Sequence, residues 1–404
     1  MVKYYKIPIN IFIKRGESHA AKNYSFSSKL ISIIKEDFNM KKLLSLLIAI
    51  IMTISLSCTT FASETSNPTL ITLEATSDLC DYATTITPKH LHALISSGEL
   101  SGSIDEYSLG QNFSIFNVTN HTTSTCFPVI HHGTVVALLD VFESNGEYSS
   151  SLSISFSKEL ENFFNSKQMD KFVLLTDGVH LQAFNGQYTT EIFKLFEDGE
   201  ISPDLGKMCP TKLFSNSQGT VNLTYNDIST PTEIQPFITT RGPVSPKEYK
   251  TINVRGVSQG NHPWCWAATC AALINYYKGT SLTASTVANY VFPNNPEQGG
   301  NWSNMQKAYN HWYLYPSQSG VASFSTVKSK INSNSPMHLG LVEHSVGLIG
   351  YEDWTGVPGE NNAHILVLLE PNGGVRKSVT LNSSGNFYYA LSGSSNAWQY
   401  TRMF

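Results

Sequence analysis

The sequence predicts an α+β protein in which a β-rich first half precedes a region of helices and then antiparallel strands. Between residues 63 and 228, short apolar segments are separated by glycine-bearing turns, as in strands and hairpins. After residue 264, four helix-forming segments are followed by six strand-like segments. Because these helices and strands fall in separate runs, they favour α+β over an alternating α/β fold.

Composition limits the classes of function. The chain has 404 residues, enough for two domains, and its hydrophobic content of 41% allows ordinary cores. Charged residues make up only 14% and the net charge is −4, so nucleic acid is not an expected partner. The charge is uneven, with a net of −12 over residues 63–250 and +2 over residues 251–404. Two such blocks are suited to associate with each other.

The first 62 residues are predicted to contain a secretory signal. Met40-Lys41-Lys42 and the apolar run that follows match a basic start and a short hydrophobic region, and cleavage is predicted after Ala62. The apolar run is too short for a stable membrane span. Residues 40–62 are therefore interpreted as a signal peptide. Residues 1–39 are interpreted as an upstream leader that is either not translated or disordered. Cys58 follows a poor lipidation motif and is expected to be lost with the signal.

Residues 63–228 are predicted to form one β-rich domain, a curved, mostly antiparallel sheet with one or two helices. A hairpin is expected around His131-His132-Gly133, and a helix over residues 156–164 with Ser157 as a cap. Adjacent histidines in a strand project to opposite faces, so His131 and His132 are interpreted as turn residues rather than metal ligands. Further strands are predicted over residues 127–130, 135–141, 148–155, 172–176, 180–184 and 188–193.

Residues 229–250 are predicted to be an extended linker. The segment contains four prolines and many small polar residues. Exposed segments of this kind are where proteolytic cleavage concentrates.

Cysteine usage argues against a disulfide framework. Of six cysteines, three lie in the middle region, namely Cys80, Cys126 and Cys209. An odd number allows one pair at most, and the sequence does not say which. Cys265 and Cys270 are about 140° apart on the predicted helix, so a metal site built on both is not expected. No cofactor is predicted.

Residues 251–404 begin with helices and end with strands. Helices are predicted over residues 265–277, 284–291, 304–312 and 325–331, the last with Ser323 or Ser325 as a cap. Strands are predicted over residues 338–342, 345–351, 365–369, 376–381, 387–391 and 398–403.

Cys265 is the strongest candidate for a catalytic residue. It lies in Gln259-Gly-Asn-His-Pro-Trp264-Cys265-Trp266-Ala-Ala and opens a predicted helix. The positive end of a helix and its unpaired N–H groups favour the thiolate, which is the nucleophilic form. Gln259, six residues upstream, can direct its side-chain NH₂ to the same point as an oxyanion donor. One short segment therefore offers a nucleophile, its activation and half of an oxyanion hole.

The motif Gln259-x5-Cys265-Trp266-Ala-Ala resembles the signature of papain-like cysteine peptidases, in particular the bacterial staphopain-type enzymes and the peptidase domains of bacteriocin-processing transporters. The resemblance covers residues 251–404. It implies a papain-like domain whose helical half carries the cysteine and whose antiparallel β half carries a catalytic histidine. Staphopain-type zymogens have a β-rich propeptide of similar size, so the resemblance also implies that residues 63–228 are an inhibitory prodomain.

A cysteine nucleophile needs a base, and four histidines follow Cys265. His344 opens the run His-Ser-Val-Gly-Leu-Ile-Gly-Tyr, which is similar to the base strand of the family. His338 is the second choice, His364 begins the next strand, and His311 lies beside Trp312 on a helix.

The third catalytic position departs from the family pattern. In the family, the strand after the base strand ends in Asn or Asp, whereas here it ends in Glu370-Pro371-Asn372. Glu370 precedes the proline, as the orienting residue does in the family, so its position favours it for this role. Asn372 has the side chain more usual in the family but lies two residues later. A carboxylate orienter should raise the pKa of the histidine.

The sequence therefore predicts a secreted, or cell-surface-associated, bacterial-type cysteine endopeptidase made as a preproenzyme. Its expected partners are protein or peptide substrates and its own prodomain, without nucleic acid, and a monomer is expected. One alternative is another Cys-His acyl-transfer enzyme, such as a cell-wall amidase or a transglutaminase-like enzyme. A second alternative is a catalytically silent surface-binding protein that kept the fold.

Overall fold

The computed structural model describes residues 67–195, 202–209, 220–232 and 245–404. The chain from Thr65 to Phe404 forms one compact unit. The predicted leader, residues 1–39, and the predicted signal peptide, residues 40–62, lie outside the described residues.

The N-terminal part is built mainly from hairpins. Its elements are β1 (Thr69–Leu73), α1 (Ser77–Ser96), β2 (Tyr107–Leu109), β3 (Phe113–Asn117), β4 (Thr122–His131), β5 (Thr134–Ser144), β6 (Glu147–Ser153), α2 (Ser157–Ser166), β7 (Lys171–Thr176), β8 (His180–Phe184), β9 (Thr189–Lys194), β10 (Thr220–Leu223) and α3 (Tyr225–Ser229). Most pairs are antiparallel, but β7 pairs in parallel with β1 and β3. Phe156 rather than Ser157 occupies the N-cap of α2, and the Ser157 hydroxyl donates to the Ile154 carbonyl instead.

Helix α1 was not predicted from the sequence. Its middle reads Thr84-Thr85-Ile86-Thr87-Pro88, and β-branched residues followed by proline normally disfavour a helix. The three threonine hydroxyls donate to carbonyls one turn back, at Cys80, Asp81 and Ala83. The buried face of α1 packs on the sheet, and this packing outweighs the weak local propensity.

The C-terminal part contains helices followed by an antiparallel sheet. Its elements are β11 (Glu248–Thr251), α4 (Cys265–Lys278), α5 (Ala284–Val291), α6 (Trp302–His311), β12 (Ser317–Ser319), α7 (Phe324–Asn332), β13 (Met337–Leu341), β14 (His344–Asp353), β15 (His364–Glu370), β16 (Val375–Thr380) and β17 (Trp398–Met403). Strand β14 pairs with β11, β13 and β15, and β17 pairs with β12 and β13. This mixed fold with a large curled sheet is compatible with a papain-like fold.

The strand predicted over residues 387–391 is wrong. The side-chain oxygen of Asn386 accepts the N–H groups of Phe387 and Trp398, and Leu391 has a left-handed φ of 69°. These features turn the backbone into a buried loop that makes one isolated bridge, Leu381 to Phe387. The aromatic content that suggested a strand is used for core packing instead.

The two parts share a sheet and a core. Strands β6 and β16 pair antiparallel, with Ser378 opposite Leu152 and Val379 opposite Ser151. Helix α1 covers this junction, where the two ring nitrogens of buried His90 lie 2.8 Å from Ser378 Oγ and 2.9 Å from Ser150 Oγ. The described residues of the N-terminal part therefore pack directly on the sheet that follows Cys265.

Within the described residues, every helix is too short or too polar to cross a membrane.

Candidate active site

Cys265 is the first residue of α4. Trp264 holds the N-cap position but contributes no side-chain capping bond, so the first N–H groups of the helix are not capped by it. The Trp264 ring stacks on His262 at 3.9 Å, and its Nε1 donates to the Pro296 carbonyl at 2.7 Å. These contacts fix the entry to the helix and place the Cys265 side chain at its N-terminal end.

Close packing holds α4 against strand β14. Ala267, Ala268, Ala271 and Ala272 are almost fully buried and allow the helix backbone to approach the sheet. The Thr269 hydroxyl donates to the Ser345 carbonyl at 3.1 Å. This bond ties the first turns of the helix to the residue after His344.

His344 opens β14 directly after a tight turn from β13. Leu341 pairs with His344, and Glu343 in the turn has a φ of 55°. The imidazole interacts with the Cys265 side chain, and its Nε2 lies 3.0 Å from Glu370 Oε1. The structure therefore brings three of the sequence-predicted residues together, with the histidine in the middle.

Charge and burial shift the pKa of His344 in opposite directions. Burial by itself would lower the pKa of His344, but the negative charge of Glu370 and the hydrogen bonds to Cys265 and Glu370 raise that pKa to about 10. Burial would likewise raise the pKa of Glu370, yet the net effect of His344, Lys377 and the Asn372 N–H lowers it. Both directions favour a carboxylate–imidazolium pair.

Glu370 and Asn372 have different contacts. Glu370 ends β15, and its Oε1 also accepts the Asn372 N–H at 3.0 Å. The Asn372 side chain donates instead to the carbonyls of Lys194 and Leu195, at 3.3 and 3.4 Å. The geometry thus places the carboxylate, and not the amide, against the histidine.

Gln259 lies beside the loop that follows Glu370. Its N–H donates to the Pro371 carbonyl at 2.9 Å, and its side-chain Nε2 makes a long contact of 3.4 Å to the His262 carbonyl. A Cβ on nearby Gly256 would lie 1.9 Å from the Gly374 carbonyl oxygen, so only glycine allows the two segments to run this close. Gln259 Oε1 is buried and has no hydrogen-bond partner among the residues that the structure describes.

The other histidines after Cys265 have different surroundings. His338 is buried, with Nδ1 2.7 Å from the Tyr309 hydroxyl, and burial and then Arg402 hold its pKa well below the usual range. His364 stacks on Phe324 at 3.7 Å, and His311 stacks on Tyr290 at 3.7 Å.

A buried lysine next to the site was missed by the sequence reasoning. Lys377 lies in β16 with its Nζ 3.7 Å above the Tyr389 ring, which in turn lies 5.6 Å from the His344 ring. Burial lowers the pKa of Lys377 to about 8, although Glu370 and Asp140 act in the opposite direction. The run Arg376-Lys377-Ser378 resembles a solvent-facing strand, so no sequence signal marked Lys377.

The site is covered in this conformation. The exposed fractions are 8% for Cys265, 4% for His344, 3% for Gln259 and 1% for Glu370. The N-terminal part contacts the loop after Glu370, because the carbonyls of Lys194 and Leu195, at the end of β9, accept hydrogen bonds from the Asn372 side chain. Asn117 and Asn120 also donate to the carbonyls of Leu391 and Gly393, in the loop that carries Tyr389.

Comparison with known proteins gives one family match. Residues 251–396 match the family model described as Peptidase_C39 like family. This match, over just over a third of the chain, confirms the predicted resemblance to papain-like cysteine peptidases and supports a cysteine-type peptidase in general. A structure described as the crystal structure of UfSP from C.elegans aligns over 83% of this chain and 76% of that chain, at 8% identity and a TM-score of 0.25. A TM-score this low does not establish a shared fold. No curated protein matches the chain in sequence.

Proposed function

We propose that this protein is a cysteine endopeptidase with Cys265 as nucleophile, His344 as general acid and base, Glu370 as orienting carboxylate and Gln259 as oxyanion donor. The observation that carries the proposal is the position of His344, which interacts with Cys265 and has its Nε2 3.0 Å from Glu370 Oε1. A nucleophile, a base and a third group that orients the base form the arrangement required for acyl transfer.

The reaction follows from these positions. The Cys265 thiolate attacks the carbonyl carbon of the scissile peptide bond, and the resulting oxyanion accepts hydrogen bonds from Gln259 and the Cys265 N–H. The C–N bond breaks as imidazolium His344 gives its proton to the amine, which leaves a thioester on Cys265. Water then attacks the thioester while His344 takes its proton, and the acid product and the thiolate are regenerated.

The proposal includes a latent precursor, in which residues 63–228 cover the site and are released by cleavage. It is supported by the burial of all four site residues, by the contact between β9 and Asn372, and by the opposite charges of the two blocks. Apolar cover supplies most of the affinity in such a complex, whereas charge mainly speeds association.

The cleavage is proposed to fall within residues 233–247 of the predicted linker. On one side, the Thr232 N–H donates to the Leu109 carbonyl. On the other, Glu248–Thr251 pair with β14 as strand β11. Proteolytic cleavage concentrates in segments between such anchored points, and the Lys247 N–H, which donates to the Asp353 carbonyl at 2.8 Å, marks the C-terminal limit of this segment. Arg241, a basic residue of the segment, lies outside the described residues.

We also propose that the protein is secreted through the predicted signal and acts as a monomer. A compact catalytic domain that acts outside the cell needs no cofactor for this chemistry, and its substrates would be proteins or peptides.

Parallel assays on casein and on peptidoglycan test the reaction class. The protein cleaved within residues 233–247 should hydrolyse casein, and Cys265→Ala should not, although its circular dichroism should be unchanged. Cys270→Ala is the matched control, because it removes another buried thiol of α4 and should keep activity. Release of fragments from peptidoglycan without casein cleavage would favour the amidase alternative, and amine incorporation into glutamine would favour a transglutaminase-like enzyme.

A further inference from the structure

The hairpin between β4 and β5 brings two adjacent histidines to one side of the chain. His132 has a φ of 49° and Gly133 a φ of 77°, so both turn residues are left-handed, as in the tight turns that suit β-hairpins. The expectation that His131 and His132 project to opposite faces holds only for extended backbone. With His132 in the left-handed region, the two ring centroids lie 4.0 Å apart.

Glu106 completes the group. It ends a short 3₁₀ turn, Ile104–Glu106, and leads into β2, which pairs with the end of β4. Its Oε2 lies 3.1 Å from His131 Nε2 and 3.8 Å from His132 Nε2, and one ligand atom from each residue lies within 4.8 Å of the others. Two ligands of one Zn²⁺ at tetrahedral angles are about 3.4 Å apart, so small side-chain rotations satisfy that spacing.

Neighbouring residues support this arrangement. The His131 ring stacks on Tyr107 at a centroid distance of 4.3 Å and an angle of 13°, which fixes its plane. A Cβ on Gly102 would lie 2.4 Å from Glu106 Oε2 and 3.3 Å from His131 Nε2, and Gly102 has a φ of +90°. Glycine therefore leaves open the space beside the two ligand atoms that a side chain would fill.

We propose that Glu106, His131 and His132 form a site for a divalent transition-metal ion, with Zn²⁺ as the probe. Two imidazoles and one carboxylate are a donor set that Zn²⁺ accepts, with a fourth position open to water. Such an ion would tie the β4–β5 hairpin to the turn before β2, and would stabilise the N-terminal part without a direct role in catalysis.

Calorimetric titration of the full chain with Zn²⁺ tests the site. All variants carry Cys265→Ala, so that the thiol at the start of α4 does not bind the metal. His132→Asn removes the imidazole but tolerates the left-handed turn, and it should weaken binding at least about tenfold. Glu106→Gln should weaken binding to a similar extent.

His121→Asn is the matched control. His121 is also exposed, also has a left-handed φ, of 59°, and precedes β4 at its other end. It should leave Zn²⁺ affinity unchanged, and melting temperatures without metal should show that each variant is folded. Zn²⁺ should raise the melting temperature of the parent but not that of His132→Asn. Equal Zn²⁺ affinity in the parent and in folded His132→Asn and Glu106→Gln would overturn the proposal, as would the absence of measurable binding to the parent.

Discussion

Two neighbours of the buried His344 determine its protonation state. Burial disfavours the charged imidazole, but Glu370 on one side and Cys265 on the other overcome that effect. The result is a histidine that stays protonated well above neutral pH. Such an imidazolium stabilises an adjacent thiolate and can donate a proton to the leaving amine.

Replacement of His344 and of His338 should show which of these two buried histidines takes part in catalysis. His344→Ala is expected to abolish peptide hydrolysis because it removes both the base and the acid. His338→Ala should keep most of the activity, but it removes the hydrogen bond between His338 and the Tyr309 hydroxyl and should lower the free energy of unfolding by about 1–3 kcal/mol. The measurements are kcat/KM on a peptide substrate and urea denaturation. An inactive but folded His338→Ala with active His344→Ala would move the base to His338.

The pH profile of Glu370→Gln should reveal the orienting carboxylate. In the wild type, the pKa of His344 is raised to about 10, so the proton donor persists and activity should decline only as pH rises toward that value. Glu370→Gln removes the charge that raises the pKa. The alkaline limb of kcat/KM should therefore move to lower pH, and the maximum rate should fall.

Asn372→Ala provides the control for Glu370→Gln. It removes contacts to the Lys194 and Leu195 carbonyls and should leave the alkaline limb in place. If Asn372→Ala moved the limb and Glu370→Gln did not, Asn372 would be the orienting residue.

Gln259→Ala should lower kcat by about 10²-fold, in keeping with the loss of one oxyanion donor. Because the side chain is proposed to act in the transition state, KM should change little. Steady-state kinetics on a peptide substrate measure both parameters. An unchanged kcat would mean that Gln259 has only a structural role, through its contact with the loop at Pro371.

Among the secondary-structure elements, helix α4 and strand β14 carry the two proposed reacting groups, Cys265 and His344, and both elements were predicted from the sequence. The alanines and Cys265 after Trp264 marked the helix, and the run from His344 to Tyr351 marked the strand. Glu370 also ends its strand as expected. Local patterns were sufficient here because each element is regular and buries a continuous apolar face.

Helix α1 and the loop over residues 387–391 could not be predicted in the same way. Pro88 and the threonines before it disfavour a helix locally, so the sequence pattern did not predict α1. The helix depends on packing against β6 and β16 for its stability. The loop depends on Asn386, whose side chain replaces a backbone partner for Trp398 across the loop. Lys377 was missed for a related reason, since only the paired sheet shows that its side chain is buried. These features are set by contacts between distant parts of the chain.

His90 on α1 offers a test of the junction between β6 and β16. His90→Ala removes a side chain whose two nitrogens lie within hydrogen-bonding distance of the hydroxyls of Ser378 and Ser150, and it leaves a cavity. The free energy of unfolding should fall by about 2–4 kcal/mol. His121→Ala, at an exposed turn, should cost far less. Urea denaturation of the full chain measures both, and equal losses would show that α1 is not central to the junction.

At the scale of the whole molecule, the described residues before and after the predicted linker form one folded body. The N-terminal part pairs with β16, covers it with α1 and reaches the loop beside Glu370. Cys265 and His344 are both buried in this folded body. Under the proposed latency, cleavage within residues 233–247 would allow the acidic block to separate from the sheet and expose the site.

Covalent labelling tests directly whether Cys265 is the nucleophile and whether the N-terminal part shields it. An epoxide-type thiol inactivator is added to the intact chain, to the chain cleaved within residues 233–247 and freed of its N-terminal part, and to the same cleaved form of Cys265→Ala, and each product is weighed by intact-mass spectrometry. We expect one inactivator per cleaved chain with loss of activity, slow labelling of the intact chain, and no labelling of Cys265→Ala. A folded, cleaved chain that takes up no label, or a Cys265→Ala variant that is labelled as fast as the wild type, would contradict this assignment.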